Sequence, residues 1–429
     1  MKKILLYISI VACMQASAQV STIAGKGLPG YVEGTGSTAQ FKHPNGVAVD
    51  ASGNIYVGDL LNHVIRKITP AGVVSTYAGT GTLGYMDGPV ATAQFNEPWG
   101  LAIDASGNMY VGDAKNNLIR KITPAGIVST LAGSGIPDFA DGTGAFASFN
   151  YPSAVGVDAA GNVYVGDCNN QRVRKITPAG VVTTIAGTAI HGYTDGPAAT
   201  AQFHTPNCMA VSPSGDVYIS DMENAVIRKI SGGMVSTFAG SVPGYADGKG
   251  TAAKFFQPHG IVMDNLGNLF VSDFGNNRIR KITQDGTVST IAGTIPGFMD
   301  GATSVAQLNG PKGIAKDKSG NLYVADENNH SIRKLTGFVT SLNPYQLAPS
   351  ALYPNPAKTA VTLKCQVQEP RAHIAVYNAG GQLVLERTVV ASDYTLDETI
   401  DISNLAQGHY WIKVTSGNTI QSSRFAKYQ

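Results

Sequence analysis

The 429-residue chain sets 31 Lys and Arg against 29 Asp and Glu, a formal net charge of +2, which excludes partners held by charge alone, nucleic acid and anionic membrane among them. Charged residues are 14% of the chain and glycine supplies 50 positions, a composition of short strands and tight turns. Length alone suggests about three domains at roughly 150 residues each, but internal repetition overrides that prior.

Lys2-Lys3 and the apolar run Ile4–Ala12 form a charged head and a core too short to span a bilayer. With Ala16-Ser17-Ala18 placing small residues before Gln19, residues 1–18 read as a signal peptide cleaved after Ala18; Ile10-Val11-Ala12-Cys13 offers a competing lipoprotein box. Cleavage leaves Cys168, Cys208 and Cys365, an odd number without zinc-finger spacing. No transmembrane segment is expected in the mature chain.

From Gly46 the chain repeats itself. GVAVDASGNIYVGD recurs as LAIDASGNMYVGD, VGVDAAGNVYVGD, MAVSPSGDVYISD, IVMDNLGNLFVSD and IAKDKSGNLYVAD, closing on Asp59, Asp113, Asp167, Asp221, Asp273 and Asp326. Steps of 52 to 54 residues are a propeller-blade period. Each copy continues through a strand ending Arg-Lys-Ile, with Leu335 in the last, into a strand such as VVSTYAG, giving four strands per unit. Glycine and alanine alternate with the apolar residues of the first strand (Gly46, Ala48; Gly100, Ala102), which lets six inner strands crowd an axis. An open ring edge invites unwanted pairing; Val20–Gly25 (VSTIAG), a stray copy of the fourth strand, is one candidate to close the sixth blade, and Phe338–Leu342 is the other.

The run from a Pro-x-Gly start through Gly-Asn-x-Tyr-Val-x-Asp to Asn-x-x-Ile-Arg resembles the NHL-repeat family over residues 20–342. That resemblance implies an all-β chain: a six-bladed β-propeller with four-stranded blades over residues 19–342. After a linker at 343–350, residues 351–429 resemble a type A sorting domain of type IX secretion. The matching motifs are Tyr353-Pro354-Asn355-Pro356, Tyr377-Asn378 to Gly381-Gln382-Leu383-Val384, Ile400–Leu405, Gly408-His409-Tyr410 and the terminal Arg424–Tyr428. This implies a small β-sandwich, recognition by the secretion translocon and a sortase, and release from the cell or attachment to its outer surface by way of the periplasm. An Ig-like or carbohydrate-binding module shares the strand pattern but does not explain the order of the motifs.

Three residue sets carry the functional reading. Between each proline and its inner strand one residue varies where its neighbours repeat: Asn45, Trp99, Ser153, Asn207, His259 and Lys312. Architecture does not demand these identities, so they are the expected ligand-reading positions at the channel mouth, Trp99 and His259 above all. By contrast Asp59 and Asn62, with Arg66 after them, recur in every blade and read as bracing. The inserts carry an aromatic and an acid (Tyr31/Glu33, Tyr85/Asp87, Phe139/Asp141, Tyr193/Asp195, Tyr245/Asp247, Phe298/Asp300), which suit either a binding rim or turns packed down by their rings. Cys168 and Cys208 are both expected on the mouth face, as a disulfide or as two free thiols; sequence leaves this open.

The function expected is a secreted or cell-surface binding scaffold for a protein or glycan, acting as a monomer with no cofactor. The alternative is a metal-dependent hydrolase or lyase with a divalent ion at the mouth near His259, Asn45 and Asn207. Propeller enzymes of that kind draw ligands from several blades, and only Pro258-His259-Gly260 supplies a Pro-His motif here.

Overall fold

Alternating apolar residues fold each repeat as an antiparallel meander. In the first, Pro44–Val49, Ile55–Asp59, Val64–Ile68 and Val73–Ala78 pair in sequence. The turn between the first two strands is written in the sequence: Asp50 Oδ1 accepts the N–H groups of Ser52 (2.8 Å) and Asn54 (2.9 Å), and Oδ2 accepts Asn54 Nδ2 (2.7 Å). Gly53 takes the left-handed conformation, φ 81°, that this turn needs. The computed structural model describes residues 18–337, 351–367, 371–392, 395–416 and 419–428. Residues 1–17 of the expected signal peptide, the expected linker at 343–350 and the Phe338–Leu342 segment lie outside the described residues.

Six such sheets form the blades of the propeller. Each holds the four strands expected and a fifth of two residues, contributed by the insert: Gly34–Thr35 pairs with Val73–Ala78 in the first blade. The insert thus forms the outer edge of its blade. In the sixth blade Gln19–Ala24 lies between Ser331–Thr336 and Gly301–Ala302, so the N-terminal strand closes the ring. Thr22 donates its N–H to Asp300 Oδ2 and its hydroxyl to Asp300 Oδ1, both at 2.9 Å. Thr76, Thr130, Thr184, Thr237 and Thr290 bond the insert acids of the other blades through the same backbone N–H.

Apolar side chains fill the space between neighbouring blades; Ile65, Phe95 and Val111, from two blades, share one cluster. At the axis the inner strands approach so closely that a Cβ on Gly46 would run into Trp99 O, and one on Gly313 into Asn45 O. Small residues there are a steric requirement.

Blades are also stitched together. After the second strand of every blade stands a residue in the left-handed conformation (φ 47° to 57°), and in five of the six it offers a side-chain acceptor to a backbone N–H of the next blade. His63 Nδ1 takes Glu97 N (3.3 Å), Asn117 Oδ1 takes Tyr151 N (3.0 Å), Gln171 Oε1 takes Thr205 N (2.8 Å), Asn277 Oδ1 takes Gly310 N (2.8 Å), and His330 Nδ1 takes His43 N (3.3 Å). The fourth blade has Ala225 at this position, φ 57°, and alanine offers no acceptor to Gln257.

In the second unit, a three-stranded sheet (Ala351–Tyr353, Ala360–Gln366, Thr395–Asp401) and a four-stranded sheet (Leu383–Val390, Arg371–Asn378, Gly408–Ser416, Thr419–Lys427) enclose a core that includes Val361, Ile374, Ile400, Ile412 and Phe425. The motif residues hold its seams. Asn355 Nδ2 donates to Arg424 O and its Oδ1 accepts Ala426 N, both at 3.1 Å. Asn378 Oδ1 caps the turn at Gly380 and Gln382 (3.0 Å each), in which Gly381 has φ 79°. Tyr410 donates to Ala406 O (2.7 Å) and stacks on Phe425.

Replacing Ala225 with Asn supplies the missing acceptor in a conformation that asparagine tolerates better than alanine. The A225N variant is expected to gain about 0.5–1.5 kcal/mol, read as a raised midpoint in denaturant unfolding.

Candidate functional site at the channel mouth

Every inner strand starts Pro-x-Gly (x-Ala in the third blade, x-Cys in the fourth), and in every blade the ladder breaks between that proline and the third residue after it. Proline supplies no N–H, and an irregularity of this kind re-aims side chains. All six varying residues accordingly surround the axis. Trp99, Ser153, Asn207, His259 and Lys312 line a mouth pocket of about 230 Å³. Asn45 lines the channel of about 290 Å³ with which the pocket shares Trp99, Asn207 and His259.

The pocket is asymmetric. The rings of Trp99 and His259 lie 22° from parallel with centroids 5.9 Å apart; Tyr151 meets Trp99 edge-on at 5.5 Å, and Phe274 lies 6.3 Å from His259. Lys312 Nζ stands 4.8 Å over the Trp99 ring and 5.5 Å from that of Phe274, and pairs with Glu327 Oε1 at 2.8 Å. Glu327 also receives His43 Nδ1 at 3.2 Å. Ser153 Oγ lies 2.8 Å from Cys168 Sγ and donates to Asn207 Oδ1 (3.3 Å), while the Cys168 thiol donates to Pro206 O (3.1 Å).

Burial decides the protonation states. His259 is 4% exposed; desolvation, with the Lys312 ammonium second, holds its pKa well below the ordinary histidine value, so the imidazole is neutral. Burial pushes the Cys168 thiol up to about 12 and Cys208 upward as well, which makes both poor nucleophiles. Burial, then the Glu97 carboxylate, raises Tyr151. Four buried polar atoms around the mouth have no hydrogen-bond partner: both ring nitrogens of His259, Trp99 Nε1 and Asn45 Nδ2.

Cys168 and Cys208 are free thiols; the Cys168 thiol is engaged by Ser153 Oγ and Pro206 O, and Cys208 donates its backbone N–H to Ser220 Oγ. The insert acids brace the blades: Asp87, Asp141, Asp195, Asp247 and Asp300 each pair with a fully buried arginine, at 2.5–2.7 Å, while Glu33 bonds Thr76 N at 2.7 Å. Among the described residues no three His, Cys, Asp or Glu side chains stand together to share a metal ion. His259, Asn45 and Asn207, the set considered for a metal, bring no carboxylate with them.

Sequence reasoning missed Tyr151, Met222, Gln257 and Phe274 as pocket lining. A signal was present. The residue before each proline (His43, Glu97, Tyr151, Thr205, Gln257, Gly310) and the one after each closing aspartate (Leu60, Ala114, Cys168, Met222, Phe274, Glu327) vary as freely as the residue after the proline.

Fold and site define a six-bladed β-propeller with a variable mouth. The NHL repeat model matches residues 95–122, 149–176, 255–282 and 308–335, and the secretion system C-terminal sorting domain model matches 351–427. The chain thus carries four matched NHL repeats and a C-terminal secretion sorting domain. NHL repeat-containing protein 2 of Bos taurus is 26% identical over 336 residues, covering 68% of this chain and 46% of its own length; the chain spans less than half the length of the curated relatives it matches over the propeller. Among solved structures, a structural genomics protein of unknown function from Bacteroides thetaiotaomicron aligns with TM-score 0.59 at 21% identity, covering 75% of this chain and 76% of that one. An auxiliary nutrient binding protein from Bacteroides ovatus aligns with TM-score 0.58 at 19% identity and the same coverage. At these identities the likeness is one of fold. The sorting domain addresses the chain to the type IX secretion machinery, for export to the cell surface or the medium; among the described residues no helix is long and apolar enough to cross a membrane.

Because folded His259 stays neutral while the unfolded chain protonates near pH 6.5, the unfolded state binds the extra proton, and stability falls as pH drops below about 6.5, by up to ~1.4 kcal/mol per pH unit. Replacing His259 with Phe is expected to remove that part of the slope between about pH 5 and 6.5, measured by denaturant unfolding across the range.

Proposed function

We propose that the protein is a secreted or surface-attached binding module that presents the mouth pocket to a protein or glycan ligand and leaves that ligand chemically unchanged. One observation carries the reading: six nearly identical frames hold side chains that differ from blade to blade at the mouth, and there they bring flat rings and unpartnered polar atoms together. Such a surface selects by shape and hydrogen bonding. The fold-level likeness to a protein named for nutrient binding is consistent with this. In this reading the translocon and a sortase act on the sorting domain, and the propeller works as a monomer outside the cell.

The test uses the labelled full chain, titrated against immobilised glycans and cell-envelope proteins, beside the double variant W99A/H259A. Binding is expected to weaken by about tenfold or more in the variant. Equal binding by both proteins would move the site away from the mouth. Stoichiometric metal in the purified chain, lost in the variant, would replace the binding module by a metal enzyme.

A further inference from the structure

We infer that the mouth pocket takes an uncharged pyranose ring, free or at the end of a glycan chain. The inference rests on the binding reading above and names the ligand class for the same site. Charge comes first. A cationic ligand would look for the faces of Trp99 and Phe274, but Lys312 Nζ already stands over Trp99 at 4.8 Å and within 5.5 Å of Phe274. An anionic ligand would look for Lys312, but its ammonium is neutralised by Glu327 at 2.8 Å, with the two side chains 13% and 8% exposed. His259 adds no charge, since it is neutral in the folded protein. The pocket therefore attracts neither sign.

Hydrogen-bond chemistry comes second. A neutral imidazole offers one donor and one acceptor, and neither nitrogen of His259 is partnered; Trp99 Nε1 is an unpartnered donor, as is Asn45 Nδ2 in the adjoining channel. Buried polar atoms left in this state are costly, so the matching ligand both donates and accepts. Neighbouring hydroxyl groups do this. Tyr151 and Phe274, which line the pocket beside Trp99 and His259, supply apolar surface for the C–H side of a sugar. At about 230 Å³ the pocket is below the size that houses drug-sized ligands, which fits one ring with the rest of a chain outside.

The chain has two tryptophans, Trp99 and Trp411, and Trp411 lies in the sorting domain. Full-length W411F therefore reports the pocket through Trp99 emission alone. It is titrated with neutral hexoses, N-acetylhexosamines and 6-deoxyhexoses, with their disaccharides, with glucuronate, with inorganic phosphate and with an uncharged tetrapeptide. A saturable response to a neutral sugar is expected, unchanged between about 0.05 and 0.5 M salt and about tenfold weaker when H259A is added. A response to disaccharides alone assigns the site to a chain end. Adding E327Q frees the Lys312 charge and is expected to shift preference toward glucuronate by about tenfold. Silence across the neutral panel overturns the sugar assignment. If phosphate, glucuronate or the tetrapeptide then moves Trp99 emission, the mouth still binds and only the ligand class is wrong. If no probe does, and envelope binding persists in W99A/H259A, the mouth reading itself fails.

Discussion

The propeller depends on a buried ion pair repeated six times. Arg66, Arg120, Arg174, Arg228, Arg280 and Arg333 are fully buried, and each donates from Nη1 to the Oδ2 of its blade's closing aspartate, at 2.6–3.0 Å. The other aspartate oxygen accepts the N–H of the residue two before the proline, such as Lys42 (2.7 Å), and the arginine reaches backbone carbonyls of the insert, such as Val32 O (3.0 Å) and Gln40 O (3.1 Å). One guanidinium therefore ties second strand, inner-strand approach and insert together. A buried pair need not add net stability, but removing one partner strands a charge and costs about 3–5 kcal/mol. The frame is expensive to alter and is the same in every blade, so the mouth residues it positions are free to differ.

That division explains what could be read beforehand. Period, blade count and bracing were legible because each is stated six times in the same residue types. The fifth strand was not: Gly34–Thr35 has too short a pattern to show a period, and it pairs where Arg66 and Thr76 hold the insert against the blade. The stitches were hidden for another reason. His63, Asn117, Gln171, Asn277 and His330 share no residue type, only an acceptor atom at similar reach in a left-handed backbone. Half of the mouth was legible, since Trp99 and His259 stood out against repeated neighbours, whereas Tyr151 and Phe274 flank the repeated residues from sides the alignment did not weigh.

In the sorting domain, motif and scaffold coincide. Asn355, Asn378, Tyr410 and Lys427 each anchor backbone, the last by donating to the carbonyls of Ile402, Ser403 and Leu405 at 2.5–2.6 Å. Residues of the motifs that resemble an export signal are thus the ones that hold the small sandwich closed.

The closing strand carries a temporal consequence. Gln19–Ala24 pairs with Ser331–Thr336, some three hundred residues later in the chain, so the first strand of the propeller is the last whose partner is made. Contacts of such sequence separation form slowly, and until this one forms the nascent ring has two bare sheet edges, each able to recruit a neighbour. Those two edges are exposed longest in the interval between folding of the first blade and arrival of the sixth.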